Sequence, residues 1–161
     1  MIVFDIETDG LNPSKIHCLS YTRDGTEYNT LTNYEDMKQL LLNEKGLIGH
    51  NIMRYDIPVL ERILNIKIRS RLYDTLPMSW VMNYERGKHG LDGFGEDFGI
   101  PKPVITDWSE QPVEVYIHRC EEDVKINWKL WQNLLKRFMF VYKDKKNLDK
   151  FFGYLSFKMN C

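Results

Sequence analysis

The first ten residues, MIVFDIETDG, put two carboxylates, Asp5 and Glu7, into a run that otherwise reads as a buried strand. Ile2, Val3, Phe4 and Ile6 are strand-formers, and the run is too short for a helix before Gly10 and Pro13 break it. Alternate residues of a strand share a face, so the two acids stand side by side at about 7 Å. Like charges on one face of a core strand repel each other and lose hydration. A fold that accepts this strand must compensate them with buried Lys or Arg, with exposure at a strand end, or with a divalent cation.

Two further acids sit in comparable places. In GHNIMRYDIPVL, Asp56 falls where an apolar strand gives way to a helix start, and in CEEDVKINWKLW, Asp123 lies beside the core stripe of a long helix. Four inward carboxylates from three segments make a hard, oxygen-rich site suited to Mg²⁺ or Mn²⁺. Paired ions at about 3.5–4 Å are an arrangement used for in-line displacement at phosphorus.

The remaining chain supplies a frame for such a site. Strands are expected over 2–7, 16–22, 26–31 (the last two joined by the hairpin signal Asp24-Gly25), 46–48 and 71–76. Asn33 can cap a helix that places Tyr34, Met37, Leu40 and Leu41 on one face. Pro58 suits the first turn of a helix bearing Ile57, Leu60, Ile63 and Leu64, and a further helix is expected over 77–84. HGLDGFGEDFGIPKP reads as helix end and loop, since its glycine spacing is wrong for a dinucleotide cradle. From about Glu114 to Phe138, Val124, Trp128, Trp131, Leu135 and Phe138 form a helical core stripe. Early strands with a hairpin, then alternating helix and strand, give an α/β chain with a mixed sheet flanked by helices.

The 161 residues suit one domain, and 43% apolar with 28% charged residues is an ordinary globular profile. A net charge of −1 gives no global attraction to polyanions, so a nucleic acid would need a local basic patch or bound metal. One candidate patch is the tail, where Lys136, Arg137, Lys143, Lys145, Lys146, Lys150 and Lys158 face only Asp144 and Asp149; a plain solvated surface is the other reading. No stretch is long and apolar enough to span a membrane, and no partner membrane is expected. Cys18, Cys120 and Cys161 read as free thiols in a reducing compartment, the cytoplasm.

FDIET, then HNIMRYD, then HRCEED resemble, in order and spacing, the three motifs of the DnaQ-like, or DEDD, 3′→5′ exonucleases. The resemblance runs from Met1 to about Leu135 and is strongest to the proofreading domain of phage family A DNA polymerases. It implies a ribonuclease H-like mixed sheet of five to six strands flanked by helices. It implies an exonuclease domain over 1–138, and a basic extension over 139–161 leading towards a polymerase domain that this chain is too short to hold. Such a chain is either a domain cut from a larger protein or a free-standing subunit, and the ending YLSFKMNC, with no helix stop or polar tail, leans to the fragment. The implied partners are the 3′ end of single-stranded DNA and a DNA polymerase domain or subunit, in the host cytoplasm for a phage protein.

Residue by residue, the resemblance implies two Mg²⁺ (or Mn²⁺) ions. Asp5 would bridge both, Glu7 and Asp123 would hold the ion carrying the attacking water, and Asp56 would act on the second. Thr8 and the segment through Leu11 would touch the terminal nucleotide. Asn51 could orient Asp56, contact substrate or cap the next helix. The general base divides the family. One branch has tyrosine four residues before the last aspartate, where this chain has Arg119; the other has histidine five before it, where this chain has His118. A histidine, with an ordinary pKa of about 6.5, suits proton acceptance near neutrality. Two other readings share the fold: a catalytically silent module that grips nucleic acid or a polymerase, and an exonuclease directed at RNA, for which the 2′-hydroxyl decides.

Overall fold

The computed structural model describes residues 1–106, 111–143 and 146–159. In chain order the elements are β1 (Ile2–Thr8), β2 (Ile16–Thr22), β3 (Tyr28–Leu31), α1 (Tyr34–Asn43), β4 (Gly46–Gly49), α2 (Asp56–Leu64), β5 (Arg71–Asp74), α3 (Thr75–Met82), α4 (Leu91–Phe98), α5 (Val113–Tyr142) and α6 (Lys146–Met159). The strands form one mixed sheet in the order β3-β2-β1-β4-β5. β1 is central, antiparallel to β2 and parallel to β4, and β5 extends the parallel side. This is the five-stranded, helix-flanked α/β architecture expected from the sequence.

The period of two along β1 builds two cores at once. Ile2, Phe4 and Ile6 pack with Met37 and Leu41 of α1 and Leu60 and Leu64 of α2. Val3, on the opposite face, packs with Val124, Leu130 and Trp131 of α5 and with Met78 and Met82 of α3. Asp5 and Glu7 follow Val3 on that second face, so they point towards α5.

Several boundaries follow local chemistry that periodicity does not reveal. Asn33 caps α1 as expected, its side chain accepting from the amides of Glu35 and Asp36. α3 starts at Thr75, two residues before the expected proline, because Asp74 ends β5 and caps the helix through the Leu76 amide. Within HGLDGFGEDFGIPKP, expected as helix end and loop, Leu91–Phe98 form helix α4, with Leu91 and Phe94 buried. Its glycines serve packing: a Cβ on Gly95 would meet the Ile100 carbonyl oxygen at 2.8 Å and Ile126 Cδ1 of α5 at 2.9 Å. Propensity alone misreads such a helix. The α5 core stripe is also rotated from the expected one. Tyr116, Cys120, Val124, Leu130, Trp131, Leu134 and Phe138 are buried, while Trp128 and Leu135 are only partly so.

The expected basic extension begins inside α5, which runs on to Tyr142 before Lys143 adopts a left-handed cap. Leu155 of α6 joins the α5-side core, with Leu148 and Phe151 packed against it, and Arg71 of β5 pairs with Asp149 at 2.8 Å. The described part of α6 therefore packs on the same body. Arg137, counted in the basic run, donates to Asn83 at 2.7 Å and pairs with Glu85 at 3.3 Å. Asp144, Lys145 and Cys161 lie outside the described residues, and Cys18 and Cys120 are free thiols. No helix among the described residues is long and apolar enough to cross a membrane.

Candidate active site

The end of β1 is irregular. Glu7 pairs with Cys18, but Thr8 pairs with Ile16, so the register slips between Glu7 and Thr8. Such a bulge re-aims the chain where a strand ends. Opposite it, α5 turns Arg119, Cys120 and Asp123 inwards, at i, i+1 and i+4 of one helical face. One ligand oxygen from each of Asp5, Glu7 and Asp123 lies within 4.8 Å of the others. Asp56, the first residue of α2 and buried, stands outside that trio yet is near enough for its charge to act on Asp5. Three of the four acids expected from the sequence are thus clustered, and the fourth adjoins them.

Burial is the main force on these groups, and mutual repulsion adds to it. Asp5 is raised well above the ordinary range by burial and by the charges of Asp123, Asp56 and Glu7. Burial and the Asp123 charge push Glu7 up to about 7, against the pull of Arg119. Burial also drives Asp56 up to about 8. Two cations answer part of this charge. Arg119 Nε lies 3.2 Å from Glu7 Oε1, and Lys102 Nζ lies 3.0 Å from both Asp123 Oδ2 and Asp92 Oδ1. The Cys120 thiol donates to the Asp5 carbonyl oxygen at 3.3 Å and approaches Oδ2 at 3.6 Å.

The residues fit a hard divalent cation. The donors are carboxylate oxygens, which Mg²⁺ and Mn²⁺ favour. Asp123 Oδ1 is buried with no hydrogen-bond partner, a costly state for an acceptor unless a cation or another donor meets it.

Beside Glu7 opens a mostly apolar pocket of about 320 Å³, lined by Ile6, Glu7, Thr8, Gly10, Leu11 and Tyr55. The Tyr55 hydroxyl lies 2.6 Å from the Gly10 carbonyl oxygen and 2.6 Å from the Thr8 hydroxyl, which itself lies 3.0 Å from the same carbonyl oxygen, so the three groups form one polar cluster. Leu11 is 95% exposed, an apolar side chain at the rim with nothing packed over it. Thr8 and Leu11 therefore share one pocket with Glu7. Tyr55 was legible only as part of a motif, because a tyrosine ahead of a helix gives no sign of which hydroxyl it will meet.

Asn51 takes a left-handed backbone (φ 64°), and its carbonyl oxygen accepts from the Arg54 and Tyr55 amides, so it forms the turn ahead of α2 without capping the helix by its side chain. Asp74 holds this turn in place, accepting from the amides of Asn51 at 2.8 Å and Met53 at 3.1 Å. With the Leu76 amide, one buried carboxylate satisfies three backbone donors. Asp74→Ala is expected to cost roughly 2–4 kcal/mol, because those donors lose their partner in a buried place. Chemical denaturation measures it, and a loss below 1 kcal/mol would show that water replaces the carboxylate.

The histidines divide. His118 is exposed on α5 and makes none of the site's hydrogen bonds; the inward register belongs to Arg119. His50 Nδ1 lies 2.9 Å from Thr75 Oγ1, and burial lowers its pKa to about 4. His17 stacks on Tyr116 at 3.8 Å, and His89 Nδ1 lies 2.8 Å from Ser79 Oγ. Lys102 had no sequence signal beyond a lysine between two prolines.

No family model and no curated protein sequence matches the chain. Solved structures do. Brucella melitensis NrnC bound to pGG matches with a TM-score of 0.75 and 18% identity, over 96% of this chain and 80% of that one. Escherichia coli RNase D, an exoribonuclease involved in structured RNA processing, matches at 0.67 and 16%, over 98% of this chain and 44% of that one. Exonuclease X in complex with 5′ overhanging duplex DNA matches at 0.55 and 14%, over 84% and 90%. At these identities the likeness establishes a shared fold.

Proposed function

We propose that this protein is a divalent-metal-dependent 3′→5′ exonuclease that releases nucleoside 5′-monophosphates from single-stranded 3′ ends. The observation that carries the reading is the convergence of Asp5, Glu7 and Asp123 within 4.8 Å, with Asp123 Oδ1 left open. Asp5, Glu7 and Asp123, with Asp56 beside them, would hold the metal, in the two-ion form expected from the motifs. Such a cation polarises a phosphoryl oxygen and makes water a nucleophile near neutral pH.

The chain's own residues do the rest. The pocket of Thr8, Gly10, Leu11 and Tyr55 seats the terminal nucleotide against Glu7, with Leu11 offering an apolar face to the base. Asn51, in the turn beside Asp56, is the further substrate contact. On the reading implied by the motifs, His118 would take the proton of the attacking water, turning towards it from the exposed face of α5; His118→Ala tests this role, since loss of a general base costs about 10²–10⁴-fold, and wild-type turnover would move the role to another group.

The finer reading is DNA, in proofreading for a phage-type polymerase, with 139–161 leading towards that partner. RNA is the second reading, favoured by RNase D, whose fold this chain shares over nearly its whole length. The test is incubation of the protein with 5′-labelled single- and double-stranded DNA and RNA, in Mg²⁺, Mn²⁺ or chelator. A metal-dependent ladder shortening from the 3′ end is expected, and the better strand identifies the sugar. Intact strands in every metal would overturn the reading and favour a silent binding module.

A further inference from the structure

Lys102 is the residue whose place the carboxylate cluster does not explain by itself. Its ammonium sits 3.0 Å from Asp123 Oδ2 at the bottom of the site and 3.0 Å from Asp92 Oδ1 at the rim. The side chain of Asp123 is 6% exposed and that of Asp92 is 79% exposed, so Lys102 spans the distance from buried acid to solvent. Its backbone is fixed on both sides. Pro101 and Pro103 flank it, and the Pro103 carbonyl oxygen accepts from Arg119 of α5. The backbone is held, and the side chain, 19% exposed, reaches its two carboxylates through a four-carbon stem with several rotatable bonds.

A groove of about 660 Å³ opens along the same segment, lined by residues 99–105 with Asp92, Gly95, Glu96 and Arg119. Its two cations, Lys102 and Arg119, are the groups that touch Asp123 and Glu7. The groove therefore adjoins the carboxylate cluster.

An ammonium and a divalent cation drawn to the same buried carboxylate repel each other, and the cation carries the larger charge. We propose that Lys102 is a phosphate-binding residue that leaves Asp123 when a divalent cation binds there and then grips a phosphodiester of the strand lying in the groove. The inference rests on the nuclease reading and deepens it by assigning the strand's path. In the metal-free protein Lys102 partly compensates Asp123; in the metal-loaded protein its remaining protein partner is the solvent-exposed Asp92, which a phosphate readily displaces.

Two affinities test this together. Lys102→Met keeps the stem and removes the charge. It is expected to bind Mn²⁺ more tightly than the wild type by calorimetry, because a competing cation is gone. It is also expected to bind a single-stranded oligonucleotide roughly tenfold more weakly by fluorescence anisotropy in non-hydrolysing Ca²⁺. The slope of log affinity against log salt should fall by about 0.7, one phosphate contact on a single strand. Lys102→Arg should restore most of the oligonucleotide affinity. Asp92→Asn, which leaves the buried cluster untouched, should tighten oligonucleotide binding by freeing the ammonium.

A structural role for Lys102 would weaken both affinities in Lys102→Met, and that result overturns the proposal. Unchanged oligonucleotide binding, or weaker binding in Asp92→Asn, overturns it as well. Failure of the nuclease reading is read separately, as a wild-type protein whose Mn²⁺ binding is the same in Asp5→Asn.

Discussion

Asp5→Asn is expected to reduce hydrolysis of a labelled single strand by at least ~10³-fold, beyond the roughly 10- to 100-fold that follows loss of a partner one shell further out. The same substitution should raise the thermal stability of the metal-free protein. Both effects come from one environment. Asp5 is pressed by burial and by three neighbouring carboxylates, so its charge is costly without a cation. Asparagine keeps the shape and removes that charge, while the Cys120 thiol keeps the Asp5 carbonyl oxygen as its nearer acceptor. A gain of about 1 kcal/mol would appear as a rise of about 2–4 °C in Tm for a chain of this size. Activity assay and thermal unfolding on one preparation check the pair. A variant that is inactive and also less stable than the wild type would mean that Asp5 is held chiefly by the fold.

The second large effect is a stability that falls as pH rises. Glu7 is raised from 4.5 to about 7, and Asp56 to about 8. For an acid whose folded pKa lies above its unfolded one, the extra stability is fully present below the unfolded value and is lost as pH climbs through the folded value. In chelator, Tm should therefore decline from about pH 4.5 to about pH 8, with Glu7 alone contributing of the order of 3 kcal/mol. Saturating Mg²⁺ should remove the decline, because a bound cation favours the charged carboxylates, and metal affinity should rise with pH as protons leave. Thermal unfolding across this range, with and without Mg²⁺, measures both curves. A flat chelator curve would show that Lys102 and Arg119 already neutralise the cluster.

Much of this site could be read from the chain because β-strands keep strict time. Asp5 and Glu7 share a face by period alone, and the apolar residues between them settle which face is the other core. Asp123 was reachable through its neighbour Val124. The unreadable parts depend on contacts between distant segments. Lys102 and Arg119 acquire their roles only when the stretch after α4 meets α5. The role of Asp74 is hidden for the same reason, since the turn it holds lies 21–23 residues earlier in the chain. α4 escapes propensity because its glycines read as loop residues, whereas one of them, Gly95, admits α5 at close range.

The double duty of β1 limits how such a chain can diverge. A single residue inserted between Val3 and Asp5 would carry both acids to the α1 and α2 side and turn Phe4's successors against α5. Folding and chemistry would be lost in the same step. Substitutions can accumulate along the strand one at a time, but its length is frozen from Ile2 to Glu7, and tolerated insertions should begin beyond the slipped register at Thr8.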